Sequence, residues 1–123
     1  MINNISSVLI WSSDYKKLAK WYEKTLGLKQ VEEIKHPNDT GIGFQVGNVY
    51  LWIGQHSKVK GKNKDMHRHM IDFDVDSVSK NYKELQKKGV KFFCKPFKAP
   101  TFDKYFVTFY DPDNNLVQLI GGK

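Results

Sequence analysis

The sequence predicts an α+β protein in which one β-α-β-β-β unit is written twice. Three observations carry this. Each half opens on an apolar run that hands over, through an aspartate, to an amphipathic helix pattern. The interval from Asp14 to Gly27 equals that from Asp76 to Gly89. Each helix pattern is then followed by three runs of strand character separated by turn signals.

The first apolar run is "SSVLIW", with Val8 and Ile10 on one face and Ser7, Leu9 and Trp11 on the other. In "SSDYKKLAKWYEKTLGLK" Asp14 is placed to cap a helix, because a carboxylate accepts the orphan amides of the first turn. Leu18, Trp21, Tyr22 and Leu26 share one helix face, and Gly27 ends the pattern where a left-handed residue costs little. Strands are expected at 28–34, 40–46 and 48–54, with Gly47–Asn48 as the hairpin turn between the last two. Alternation puts Val49, Leu51 and Ile53 in the core and turns Tyr50 and Trp52 to the other face. The stretch "QHSKVKGKNKDM" is polar and lysine-rich, and reads as a linker or flap over 56–66 between modules at about 1–55 and 67–123.

The second half opens with "HRHMIDFDV", where two histidines and two aspartates raise the question of a metal site. Read as a strand over 67–75, Ile71, Phe73 and Val75 form the core set. His67 and His69 share their face, while Arg68, Met70, Asp72 and Asp74 take the opposite one. A slip of one residue would expel Ile71 and Phe73, whose burial stabilises by about 3–6 kcal/mol in all, so the register is held. Only a bulge near Met70 would turn His69 over. Asp76 is the expected cap of the second helix, Val78, Tyr82 and Leu85 its buried face, and Gly89 its end. Strands follow at 90–95, 104–110 and 116–121, the last two joined by the tight turn "DPDNN". Val117 and Leu119 read as core, and Leu116, Gln118 and Ile120 face the other way.

The net charge of +7 rests almost wholly on lysine, with Arg68 the single arginine. Sequence-reading of nucleic acid relies on arginine's planar fork, so a nucleic-acid partner is not expected. No apolar run is long enough to span a bilayer, and a membrane partner is not expected either. The N-terminus lacks the basic region and cleavage site of a secretory signal, and Cys94 has no cysteine to pair with, so a cytoplasmic location is expected.

Four local words, in this order, are similar to those of the glyoxalase / bleomycin resistance / dioxygenase (vicinal oxygen chelate) superfamily. They are "SSDYKKLAKWYEKTLGL", "IDFDVDSV", "KKGV" and "FYDPDNNLVQLI". The resemblance covers nearly the whole chain. It implies a single domain of two βαβββ modules, whose sheets form a curved half-open mixed β-barrel with the helices outside, in a homodimer. Metal-dependent members hold a divalent ion through a His or Gln on the first strand, a His opening the corresponding strand of the second module, and a Glu on the last strand; some add a fourth-strand ligand. Those positions fall here on Ser7, Met70, Gln118, and Tyr50 or Trp52. A hydroxyl, a thioether and a neutral amide make a poor divalent site. No metal, cofactor or catalytic residue is therefore assigned.

The expected ligand-binding residues are Trp11, Tyr50, Trp52, Met70, Asp72 and Gln118, an aromatic lining with a few polar points. The expected function is metal-free binding, and so sequestration, of a small molecule. The alternatives are a metal-dependent lyase, isomerase, thiol transferase or dioxygenase with His69 turned inward, and a scaffold that uses the same aromatics against another protein.

Overall fold

A computed structural model describes residues 1–123. The chain divides into two compact units, Met1–Gly61 and Lys62–Lys123, each a βαβββ module.

In the first unit the elements run β1 (Ser7–Ser12), α1 (Tyr15–Leu26), β2 (Gln30–His36), β3 (Asp39–Val46) and β4 (Val49–Gln55). They form sheet 1 in the order β1-β4-β3-β2, with β1 parallel to β4 and the remaining pairs antiparallel. The helix starts where the sequence says: Asp14 accepts a hydrogen bond from the Lys17 amide at 3.2 Å. It ends at Gly27 in the left-handed region, φ 71°, a conformation that only glycine adopts cheaply. Leu18, Ala19 and Tyr22 of α1 are buried, as are Ile42, Phe44, Leu51 and Ile53 of the strands. α1 lies on β1, β3 and β4 and covers this face of the sheet. β2 starts two residues later than expected and carries a register shift between Gln30 and Glu32.

The second unit repeats the order with β5 (Ile71–Ser77), α2 (Val78–Lys87), β6 (Phe97–Lys98), β7 (Tyr105–Tyr110) and β8 (Leu116–Gly122), and sheet 2 runs β5-β8-β7-β6. Val78 and Leu85 of α2 are buried, as are Val107, Phe109, Val117 and Leu119. Tyr82 sets its ring edge to face with Phe92, which meets Phe109 in turn, so this chain of rings marks the helix side of the sheet.

Three sequence expectations are corrected here. The cap of α2 is Ser77, not Asp76: the strand runs on to Ser77 through an irregularity after Val75, and the Ser77 hydroxyl accepts from the Lys80 amide at 3.2 Å. The run 90–95 is not a strand. The amides of Phe93 and Cys94 both donate to the Thr108 carbonyl, at 2.9 and 3.4 Å, so the ladder cannot advance residue by residue. Pro96 lacks an amide to resume it, and pairing survives as a bridge, Phe92 to Phe109, and the two-residue β6. Finally, β5 begins at Ile71, after a turn in which the Arg68 amide donates to the Asp65 carbonyl. His67, Arg68, His69 and Met70 therefore precede the pleat, and alternation does not set their direction.

The run 56–66 has defined bonding of its own. In the first unit the Val59 amide donates to the His56 carbonyl at 3.1 Å. In the second, Asn63 donates through its amide to the Asp113 carbonyl at 2.7 Å and through Nδ2 to Asn115 Oδ1 at 2.9 Å. Asp111, 4% exposed, accepts from the amides of Asp113 and Asn115 and from Asn115 Nδ2, and so holds the "DPDNN" turn with Asn114 left-handed at φ 64°.

Candidate functional site

On the face of sheet 1 opposite α1, cross-strand register groups Leu9 with Trp52, Trp11 with Gly54, Trp52 with Gly43 and Gly41 with Gly54. None of Gly41, Gly43 and Gly54 has positive φ, so the backbone does not require glycine there. The rings do. A Cβ on Gly41 would stand 2.6 Å from Trp52 Cζ2, and one on Gly54 would stand 2.3 Å from Trp52 Nε1 and 2.9 Å from Trp11 Cζ3. One on Gly43 would overlap the Tyr50 hydroxyl. The three aromatics thus lie against bare backbone, and Tyr50 and Trp52 stack with planes 18° apart. Trp52 is 5% exposed, whereas Trp11 and Leu9 are open at 39% and 52%. His56 sets its ring edgewise to Trp11, centroids 5.4 Å apart.

The polar end of this bed is the Tyr50 hydroxyl, which donates to Glu32. Its phenol is pushed up to about 12, first by burial, then by the hydrogen bond to Glu32 and the negative charges of Glu32 and Asp39. Tyr50 therefore stays neutral at any physiological pH.

On sheet 2, the face opposite α2 carries Asp72, Gln118 and Thr108 in one row across β5, β8 and β7. With its amide oriented to satisfy both neighbours, Gln118 donates from Nε2 to Asp72 Oδ1 at 2.6 Å and accepts from the Thr108 hydroxyl at 2.9 Å. Gln118 and Thr108 are buried and Asp72 is exposed. Burial, and then the charge of Asp74, hold the Asp72 carboxyl above its ordinary range.

Of the six expected binding residues, Trp11, Tyr50 and Trp52 come together on sheet 1, and Asp72 and Gln118 on sheet 2. Met70 stands before β5, 46% exposed. Sequence reading missed Glu32, because the β2 irregularity hides its pairing, and Thr108, whose place beside Gln118 depends on the β7–β8 register. It also missed the role of the three glycines, whose clustering on one face is visible only once the register is known.

The positions that the resemblance assigns to a metal ion do not fit one here. Ser7 offers a hydroxyl and Met70 a thioether, and the neutral amide of Gln118 is already engaged by Asp72 and Thr108. No three His, Cys, Asp or Glu side chains group in a way that would hold a metal ion.

Residues 4–119 match the family described as the Glyoxalase/Bleomycin resistance protein/Dioxygenase superfamily. Over 114 residues the chain is 27% identical to the uncharacterized protein YraH of Bacillus subtilis (strain 168), covering 87% of this chain and 89% of that protein. The crystal structure of SMU.1112c superposes with a TM-score of 0.83 at 20% identity, covering 98% of this chain and 99% of that one. A variant of the fosfomycin resistance protein FosX from Listeria monocytogenes, complexed with Mn(II) and 1S,2S-dihydroxypropylphosphonic acid, gives a TM-score of 0.78 at 16% identity, with 100% and 95% covered. At such identities these structures speak for the fold alone.

Proposed function

We propose, on the premise that this chain belongs to the Glyoxalase/Bleomycin resistance protein/Dioxygenase superfamily, that it binds and sequesters a small organic molecule without a metal ion. The aromatic bed of sheet 1 carries this reading. A glycine inside a strand costs roughly 0.5–1 kcal/mol against alanine, and three of them lie under Trp11, Tyr50 and Trp52. That arrangement holds the rings flat, with Trp11 and Leu9 open toward a ligand and Trp52 setting the floor. Asp72 and Gln118 supply hydrogen-bonding groups on the second module, and Met70 an apolar contact. In this reading residues 1–123 form one functional domain that works as a cytoplasmic homodimer. No helix is long and apolar enough to cross a membrane.

The test is titration of tryptophan emission in untagged protein with a panel of aromatic metabolites and antibiotics, beside metal analysis and titration with Ni, Zn, Mn and Fe. Saturable quenching that is lost in Trp11→Ala, without stoichiometric metal, is the expected result. Tight stoichiometric binding of a divalent ion that disappears in His69→Ala would replace this reading with a metal-dependent enzyme. A co-purifying partner chain, with no ligand raising the melting temperature, would replace it with a scaffold.

A further inference from the structure

The open face of sheet 2 grades from rings to carboxylates. Phe97 and Phe106 pair across β6 and β7 and stack, centroids 5.6 Å apart and planes 23° apart. Phe102, in the loop between those strands, sets its ring at 89° to Phe106 with centroids 5.9 Å apart. Phe97 and Phe102 remain 44% and 50% exposed, a cluster of open apolar rings of the kind that marks a binding surface. The register then carries the row onward from Phe106 to Ile120 on β8 and Asp74 on β5. Strands lie about 4.8 Å apart, so Asp74 stands roughly 10 Å from Phe106 across the sheet.

The carboxylate end has no internal counter-charge. The ion pairs of this chain join Glu23, Glu33, Asp65, Glu84 and Asp103 to lysine or arginine, and none reaches Asp72 or Asp74. This holds in a chain with 20 lysines and arginines against 13 acids. Side chains two residues apart on one strand face stand roughly 6–7 Å from each other, close enough for one ammonium group to meet both carboxylates. Ile120 lies half-buried between these groups and the stacked rings.

We propose that this face is a subsite for an organic cation with an extended or flat apolar body. The ammonium or guanidinium group is held by Asp72 and Asp74, and the apolar body lies over Ile120 against Phe97 and Phe106. The proposal rests on the small-molecule reading above and names its ligand class. The rings take any apolar group, and the two carboxylates decide its sign. Local attraction at a few ångströms outweighs the net positive charge of the whole chain, which acts over longer distance and is screened within about 10 Å at 0.1 M salt.

The test uses the full chain and three probes that share a six-methylene chain: 6-phenylhexylammonium, the neutral 6-phenylhexanol and the anionic 7-phenylheptanoate. Affinities come from calorimetry and the site from amide shifts in heteronuclear NMR. The ammonium probe is expected to bind roughly three- to tenfold tighter than the alcohol, with the carboxylate weakest and the preference shrinking as salt rises. Asp74→Asn should remove most of that preference while leaving alcohol affinity at the parent level, which also shows that the variant folds. Phe97→Ala should weaken the ammonium and the alcohol together. Equal affinity for ammonium and alcohol in the parent, or shifts that avoid Asp72, Asp74, Phe97 and Phe106, would overturn the proposal. If the preference fails while Trp11-dependent quenching persists, the ligand class is wrong and the sequestering role stands. If no small molecule binds at all, both fall.

Discussion

Replacing Gly54 with alanine isolates the aromatic bed. The added Cβ meets Trp52 Nε1 at 2.3 Å, Trp11 Cζ3 at 2.9 Å and Trp52 Cδ1 at 3.0 Å. Comfortable heavy-atom contact begins near 3.5 Å, so the Trp52 ring must retreat by more than an ångström. At 5% exposure it has little room to do so. Overpacking of this kind costs about 1–3 kcal/mol. Alanine returns about 0.4–1 kcal/mol by stiffening the unfolded chain, since Gly54 is not at positive φ. The two terms leave a net loss of about 0–2.6 kcal/mol, and a ring displaced by more than an ångström puts it toward the upper end, up to roughly 12 °C in Tm at this chain length. Urea and thermal denaturation measure it, and a shifted tryptophan emission maximum should accompany it. Gly54→Ala should cost less in a Trp52→Leu background than in the parent, because the ring it collides with is gone. A Gly54→Ala protein as stable as its parent, with unchanged emission, would show that the rings do not rest on this backbone.

Other expectations follow from the same geometry. Asp14→Ala removes the α1 cap and should cost about 0.5–2 kcal/mol in urea denaturation, and Asp14→Ser should restore most of it. Tyr50 keeps its proton in the folded state up to about 12, against about 10 when unfolded. Its contribution is full below pH 10 and is lost as pH rises from 10 through 12, where the unfolded chain ionises first. Absorbance titration at alkaline pH should lose a late-titrating component in Tyr50→Phe. Thr108→Val leaves the buried Gln118 carbonyl without its donor and should cost about 1–3 kcal/mol, whereas Thr108→Ser keeps the donor and should cost about 0.8 kcal/mol for the buried methyl it loses.

The repeated module was legible because its signals are local. Asp14 and Gly27 cap one helix by short-range hydrogen bonding and backbone freedom, and period-two alternation places Trp52 and Gln118 on their observed sheet faces. What escaped depends on partners distant in sequence. Ser77 displaced Asp76 as a cap because β5 runs one residue further beside β8. The 90–95 run has strand composition, yet two of its amides converge on the Thr108 carbonyl. The strand read from His67 begins at Ile71, since composition does not mark where pleating starts, and Met70 lost its assigned direction with it. Gly41, Gly43 and Gly54 fall inside the expected strands 40–46 and 48–54 with no signal of their own until the cross-strand register sets aromatic rings over them.

In each module the first strand pairs in parallel with the last, β1 with β4 and β5 with β8. This sets an order of assembly. The antiparallel ladder β2-β3-β4 joins neighbours in sequence and needs only short loops to close. β1 pairs with residues some forty positions downstream, so contact order makes its docking the expected last step of sheet 1. Until then the outer rim of β4 is a bare row of amides and carbonyls, and a nascent chain stalled before that step presents a template for unwanted strand addition.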